Sequence, residues 1–465
     1  MCNLSKKRDL NHTSLLFNGL YWDMWIKIVE EECMYMYCHQ CMQVAPGGCS
    51  VVGVCGKDET IASLQDVMIF ALKGIAAYRT HARQLGYTDE FVDRTTHEAL
   101  YMTLTNSNFN VQEHIDMAMQ VGQAAVRIMD VLDHAHTEKL GMPQPVRVSQ
   151  NKIEGKSIIV TGHNLFALEE LLKQTDGKGI NIYTHSEMLP AHGYPQLKKY
   201  SHLKGNIGKA WYDQRRLFEK FPGAILATTN CVMPIKGSYA DRMWTYEVTG
   251  LDGVAKIIDD DFSPLIERAL ELPAVNIESE ETLLTGFHHE TVIGLAPEVI
   301  QAVKDGKIKR FFVIAGCDAP GKGGDYYREL ATSLPKETVI LTTSCGKFRF
   351  NDVDYGTVPG TEIPRYIDLG QCNNSGSTVK IALALADAFG CEVNELPVSI
   401  VLSWFEQKAV AILLGLFSLG IKDIRIGPKA PAFINEGVLD VLVNNFGLKL
   451  IGNAQEDLET MMALA

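Results

Sequence analysis

Several common signals are missing from this chain. The longest uncharged apolar run, Ala409 to Ile421, is too short to cross a bilayer and reads as a core helix, so no membrane partner is expected. Basic charge is scarce. With 43 Lys and Arg against 56 Asp and Glu, the formal net charge of −13 argues against nucleic acid or an anionic membrane and leaves solubility or docking to a basic protein. There is no tandem repeat and no low-complexity segment, and no secretory h-region with a small-residue cleavage site. Gly321-Lys322-Gly323-Gly324 is glycine-rich but lacks the G-x-x-x-x-G-K-[ST] phosphate cradle.

What remains is an ordinary globular composition, 46% hydrophobic and 21% charged over 465 residues, enough for two to four domains. Cysteine is plentiful. Eleven cysteines in a large chain without a signal peptide, clustered in ligand-like positions, fit metal thiolates in a reducing cytoplasm better than disulfides. Residues 1–33 do not match the rest: they mix Lys6-Lys7-Arg8, Trp22, Trp25 and Glu30-Glu31-Glu32. They read either as a short amphipathic helix or as an extension ahead of a native start at Met34 or Met36.

Residues 34–146 hold a cysteine- and glycine-rich loop and then three helical patterns. The clearest runs through Val111, His114, Ile115, Ala118, Val121, Ala125, Ile128, Met129 and Leu132. A three-helix bundle is the expected product, with turn and cap chemistry at 86–88 and 106–108. From about residue 147 strands alternate with helices. The first is strand 156–161, with Asn164 as the N-cap of the helix after it. This predicts an α/β chain of two Rossmann-like parallel-sheet domains, 147–272 and 273–465, behind the helical domain.

Across both of these regions, apolar β-type runs end in metal-capable side chains. They deliver His163, Glu187, Cys231, Cys317, Cys345, Cys372 and Glu406. In open α/β sheets ligands bind beyond the carboxyl ends of the strands, so seven such endings predict one mixed sulfur, nitrogen and oxygen metal centre. They are too many for one zinc. Thiolates select iron–sulfur chemistry, while carboxylate and imidazole suit iron that also carries oxygen. The competing reading is a set of buried cysteines and satisfied core polar groups.

The N-terminal cysteines Cys38, Cys41, Cys49 and Cys55 are spaced C-x2-C-x7-C-x5-C among glycines that let a loop fold tightly. An iron–sulfur cluster, a structural zinc and a metal-free loop are all open on this spacing. The single C-x2-C knuckle favours iron–sulfur.

The stretches T-G-H-N-L (161–165), Y-T-H-S-E-M-L-P-A-H-G-Y-P (183–195), T-T-N-C (228–231), A-G-C-D (315–318), C-G-K-F-R-F-N (345–351), L-G-Q-C-N-N (369–374) and S-W-F-E-Q-K-A-V (403–410) resemble the hybrid cluster, or prismane, family of hydroxylamine reductases. The resemblance runs in order from about Met36 to the C-terminus. It fits a short form with one helical bundle. It implies a [4Fe-4S] cluster on Cys38, Cys41, Cys49 and Cys55. It further implies a hybrid [4Fe-2O-2S] cluster on the seven strand-end residues, with Lys408 beside the metal and a persulfide on Cys317.

The implied reaction is two-electron reduction of hydroxylamine, with Lys408, Glu187 and His163 supplying or relaying protons. Electrons would come from a protein donor of ferredoxin or flavin-iron-sulfur type. Nitric oxide is the rival substrate, and a trans-nitrosylase or redox sensor the rival class. A carbon monoxide dehydrogenase-like centre is a weaker third reading. Lys408 is expected beside the cavity on locally extended chain. His185 and His192 are expected either to support the site or to be structural, and His288-His289 to be structural. Cys2, Cys33 and Cys391 need no role.

Overall fold

The computed structural model describes residues 38–44, 48–50, 53–277, 279–404 and 407–463; the expectations for residues 1–33 and for Glu406 fall outside them. Three long helices follow the cysteine loop: α1 (Glu59–Gln84), α2 (Glu90–Met102) and α3 (Val111–Leu140). Each start is capped by a side chain, Asp58 accepting from the Ile61 N–H at 2.8 Å, Asp89 from Val92 at 3.0 Å and Asn110 from Glu113 at 3.2 Å. The last two caps lie one or two residues beyond the expected turns.

The bundle is not built from these three alone. Helix α6 (Gln407–Ser418), far along the chain, packs against α1 and α3 and shares their apolar core through Val410, Leu413 and Leu414. A Cβ on Gly122 would lie 2.2 Å from the Leu414 carbonyl oxygen, so the glycine lets the α3 and α6 backbones meet. Helix α1 is long and apolar enough to cross a membrane by length and composition, but much of it is buried in this bundle.

Two parallel sheets follow. The first contains β2 (Lys152–Thr161), β3 (Ile180–His185), β4 (Leu203–Asn206), β5 (Ala224–Ala227), β6 (Met243–Tyr246) and β7 (Ala255–Ile257), in the order β4-β3-β2-β5-β6-β7. The second contains β10 (Arg310–Gly316), β11 (Thr338–Thr342), β12 (Tyr366–Asp368), β13 (Val398–Ser403), β14 (Arg425–Gly427) and β15 (Lys449–Leu450), in the order β12-β11-β10-β13-β14-β15. Each is the 3-2-1-4-5-6 order of a dinucleotide-type sheet, with its switch point between the first and fourth strands.

Burial on both faces explains the unbroken apolar runs: Ile158, Ile159 and Val160 are all fully buried. Antiparallel pieces join the design. β8 (Val275–Ile277) pairs with the long entry half of β2, and β1 (Val146–Ser149) pairs with β9 (Thr282–Thr285). Asn164 caps α4 (Leu165–Thr175), accepting from the Ala167 N–H at 3.0 Å as expected.

Candidate metal centre

The expected positions stand just past the ends of their strands: His163 after β2, Glu187 after β3, Cys231 after β5, Cys317 after β10, Cys345 after β11 and Cys372 after β12. A sharp reversal marks almost every one. The residue before the functional side chain has positive φ at Gly162 (113°), Ser186 (54°), Gly316 (111°) and Ser344 (69°), and Cys231 itself sits at 70°. Outside glycine this conformation costs on the order of 1 kcal/mol or more and persists only where the surroundings impose it. Gly162 adopts it without that cost, and its site also excludes a side chain: a Cβ there would meet Thr228 Oγ1 at 2.4 Å and the Thr229 nitrogen at 2.8 Å.

The central group is His163, Glu187 and Cys372, all buried, with ligand atoms within 4.8 Å of one another. His163 Nδ1 is 2.8 Å from Thr229 Oγ1, which turns Nε2 towards Glu187 Oε2, 3.9 Å away. Glu187 Oε2 accepts from the Cys372 N–H at 2.7 Å, whereas Oε1 is buried with no hydrogen-bond partner among the described residues. Ser186 Oγ lies 3.5 Å from Cys345 Sγ, so the β3 and β11 ends converge. The Asn230 side chain donates to Cys231 Sγ at 3.2 Å, and Ser403 Oγ donates to the Cys317 carbonyl.

The electrostatics are those of a site short of positive charge. Burial drives the Glu187 carboxyl up, opposed by the Lys347 ammonium and the Cys372 N–H. Burial also raises the Cys345 and Cys372 thiols, with Glu187 adding to both. The His163 imidazole is pushed well below its ordinary value by burial and by Lys408, leaving a neutral ring. Lys347 Nζ donates to Asp368 Oδ1 at 2.6 Å and to the Gly370 carbonyl at 2.7 Å, and the Lys347 and Asp368 side chains are fully buried.

Lys408 stands beside the Cys372 loop, but not on extended chain. It lies in the first turn of α6, where Val410, Leu413 and Leu414 hold the helix in the bundle, and its Nζ donates to Asn373 Oδ1 at 3.2 Å. His185 and His192 turn to Thr161 and Thr184 hydroxyls, each at 2.9 Å, and tie strands together rather than facing the centre. The signal missed in the sequence is Tyr78. It extends the apolar stripe of α1 and reads as a core aromatic, yet its hydroxyl lies in the electrostatic field of Cys372, Cys317 and Glu187.

A second buried group, Asp133, His288 and His289, has its ligand atoms equally close. Asp133 is already engaged by both imidazoles at 3.4 and 3.7 Å, by Lys380 at 3.8 Å and by Asn374 at 3.3 Å. His288 also accepts from the Glu290 N–H, which puts its own proton on Nε2, facing Asp133. The group is a hydrogen-bonded junction of α3 with the Cys372 loop.

In the N-terminal loop, Cys38 and Cys49 are buried and joined by a backbone bridge of 2.6 Å, while Cys41 and Cys55 are half-exposed. Cys55 Sγ lies 3.6 Å from the Thr105 carbonyl, which anchors the loop on the α2–α3 turn. None of these four cysteines is in a disulfide.

Comparison with known proteins agrees with this arrangement. The Prismane/CO dehydrogenase family model matches residues 36–118 and 92–459. A hydroxylamine reductase of Moorella thermoacetica is 54% identical over 428 residues, covering 92% of this chain and all of the relative. One from Methanothermobacter thermautotrophicus is 50% identical with the same coverage. One from Geobacter metallireducens is 39% identical, but over 549 aligned positions, as expected where a longer relative carries an insertion. Among solved structures, a Ni-free carbon monoxide dehydrogenase from Thermococcus sp. AM4 superposes with a TM-score of 0.74 over 95% of this chain and 93% of that one, at 18% identity. That is a likeness of fold alone. Taken with the matched length and the strand-end geometry, these findings show that the chain belongs to the Prismane/CO dehydrogenase family.

Proposed function

We propose that this chain is an iron–sulfur oxidoreductase that reduces hydroxylamine, NH2OH + 2 e⁻ + 2 H⁺ → NH3 + H2O. The observation that carries the reading is the convergence of strand ends from two sheets on one buried, cation-deficient cradle. Relatives named hydroxylamine reductase align over 92% of the chain.

The residues fit such a cofactor. A buried carboxylate oxygen with no partner among the described residues is costly unless a cation joins it, and the buried Cys345 and Cys372 thiols beside it would ionise only with a metal to bind. His163, Glu187, Cys231, Cys317, Cys345, Cys372 and Glu406 would hold a hybrid [4Fe-2O-2S] cluster, with a persulfide on Cys317. Cys38, Cys41, Cys49 and Cys55 would hold a [4Fe-4S] cluster. When bound, these groups supply the electrons and the Lewis acidity for N–O cleavage.

The protein's own part is acid–base supply and exclusion of water. Lys408 is the proton donor to the departing oxygen, held inside the protein by the bundle. Glu187 and His163 orient the site and relay protons. The neutral His163 ring keeps a lone pair available. The half-exposed Cys41 and Cys55 mark the side on which a ferredoxin or flavin-iron-sulfur donor would deliver electrons. The thiol chemistry suits a reducing cytoplasm.

The test is anaerobic purification with iron, sulfide and EPR analysis, followed by hydroxylamine turnover with a reduced viologen. About eight irons per chain are expected from the two ligand sets. Stoichiometric zinc with little iron would sink the reading. Iron-replete protein that modifies protein thiols but does not turn over hydroxylamine would make it a sensor or trans-nitrosylase. Glu406→Ala should alter the hybrid signal and leave the N-terminal cluster's signal intact.

A further inference from the structure

A lysine carries about 2 kcal/mol of side-chain rotamer entropy, so an ammonium that must meet a reacting atom has to be held. Two groups hold Lys408. Its Nζ donates to Asn373 Oδ1 at 3.2 Å and stands 5.2 Å from the centroid of the Tyr78 ring. Both holders are themselves fixed. Asn373 Nδ2 donates to Gln371 Oε1 at 3.2 Å, and Gln371 Nε2 donates to the Glu187 carbonyl at 2.7 Å. Tyr78 is fully buried on α1, packed across from α6.

We propose that Asn373 and Tyr78 are positioning residues that aim the Lys408 ammonium at the strand-end cradle, Asn373 through its carboxamide oxygen and Tyr78 through its ring face. This rests on the reading of Lys408 as the proton donor. The chemistry of the holders is the argument. A carboxamide and an aromatic face attract an ammonium without neutralising it, so they orient it and leave its proton free to transfer. A carboxylate in place of Asn373 would pair with Lys408 and place a further anion beside Cys372, whose Sγ is 3.7 Å from Asn373 Oδ1. The three residues come from α1, the Cys372 loop and α6, so the helical bundle supplies part of the aim.

The test uses anaerobic, iron-loaded protein and a double-mutant cycle. Asn373→Leu should keep wild-type iron content and EPR signals and lower kcat by about ten-fold or more, short of the roughly 10²–10⁴-fold that a general acid itself supplies. In the Lys408→Ala background the same change should add less than about two-fold, because residues acting as a unit are not additive. Tyr78→Phe keeps the ring face and should stay within about three-fold of wild type, while Tyr78→Leu should fall as far as Asn373→Leu. A readout apart from turnover is the hydroxylamine concentration that half-shifts the EPR signal of the oxidised protein; it should move by less than about three-fold in each variant.

A full effect of Asn373→Leu without Lys408, loss of iron in that variant, or Tyr78→Phe falling as far as Tyr78→Leu would each overturn the proposal. Lys408→Ala with full turnover would instead overturn the proton-donor reading on which it rests.

Discussion

The N-terminal loop and the strand-end cradle both gather cysteines, and they do so by opposite means. In the loop, four cysteines lie within eighteen consecutive positions, 38 to 55, held among the described residues by one backbone bridge and a few turns. In the cradle, each described side chain follows a different strand, most of them at a positive-φ reversal of the backbone. Buried hydrogen bonds from Thr229, Gln371 and the Cys372 N–H fix the orientations. A loop of the first kind draws its order from whatever it binds. A cradle of the second kind is paid for by the fold before anything binds.

That contrast can be broken most forcefully at Lys347. Lys347→Met removes the cationic partner of the fully buried Asp368 and should cost about 3–5 kcal/mol of global stability by urea unfolding. An unfolding midpoint unchanged from wild type would show that the cradle is not preorganised.

Gly162→Ala comes next. A side chain at a φ of 113° that also collides with Thr228 and Thr229 should cost about 2–4 kcal/mol and displace His163, seen as a changed hybrid EPR signal.

Acid should act on the folded scaffold rather than on the loop. Burial holds His136, His185 and His192 at about 4 against an ordinary 6.5. Between those values the unfolded chain binds the protons. Stability is therefore full above about 6.5 and lost as pH falls towards 4, on the order of 1–3 kcal/mol for each imidazole. Chemical unfolding at stepped pH would expose a flat profile if the rings were already charged when folded.

The smallest effect is expected at Cys41→Ser. It should abolish the N-terminal cluster signal yet shift the unfolding of the rest by less than about 0.5 kcal/mol, because the residue is half-exposed and outside the main cores.

The strand-end pattern was legible in the sequence because buried parallel strands are written as apolar runs, and a polar or sulfur side chain ending one is conspicuous. The reversals were not read: glycine stands at two of them, 162 and 316, but Ser186, Ser344 and Cys231 adopt the same backbone without any compositional mark. Lys408 lies beside the Cys372 loop on a helix rather than on the extended chain expected, since Gln407-Lys408 carries no helix signal until Val410 and Leu414 find α3. Tyr78 and Asn373 were invisible as a pair: about three hundred residues separate them, and only the folded bundle brings both to Lys408. The antiparallel returns of β8 and β9 escaped notice because their strands are three and four residues long.

The packing of α6 against α1 and α3 also sets an order of manufacture. A ribosome releases the cysteine loop and three bundle helices early, but the apolar seam that receives Val410 and Leu414 stays open until synthesis has passed Ser418. Only then does Lys408 arrive. Until then that seam is an exposed apolar surface, and completion of the bundle is a step that follows the synthesis of both sheets' first strands.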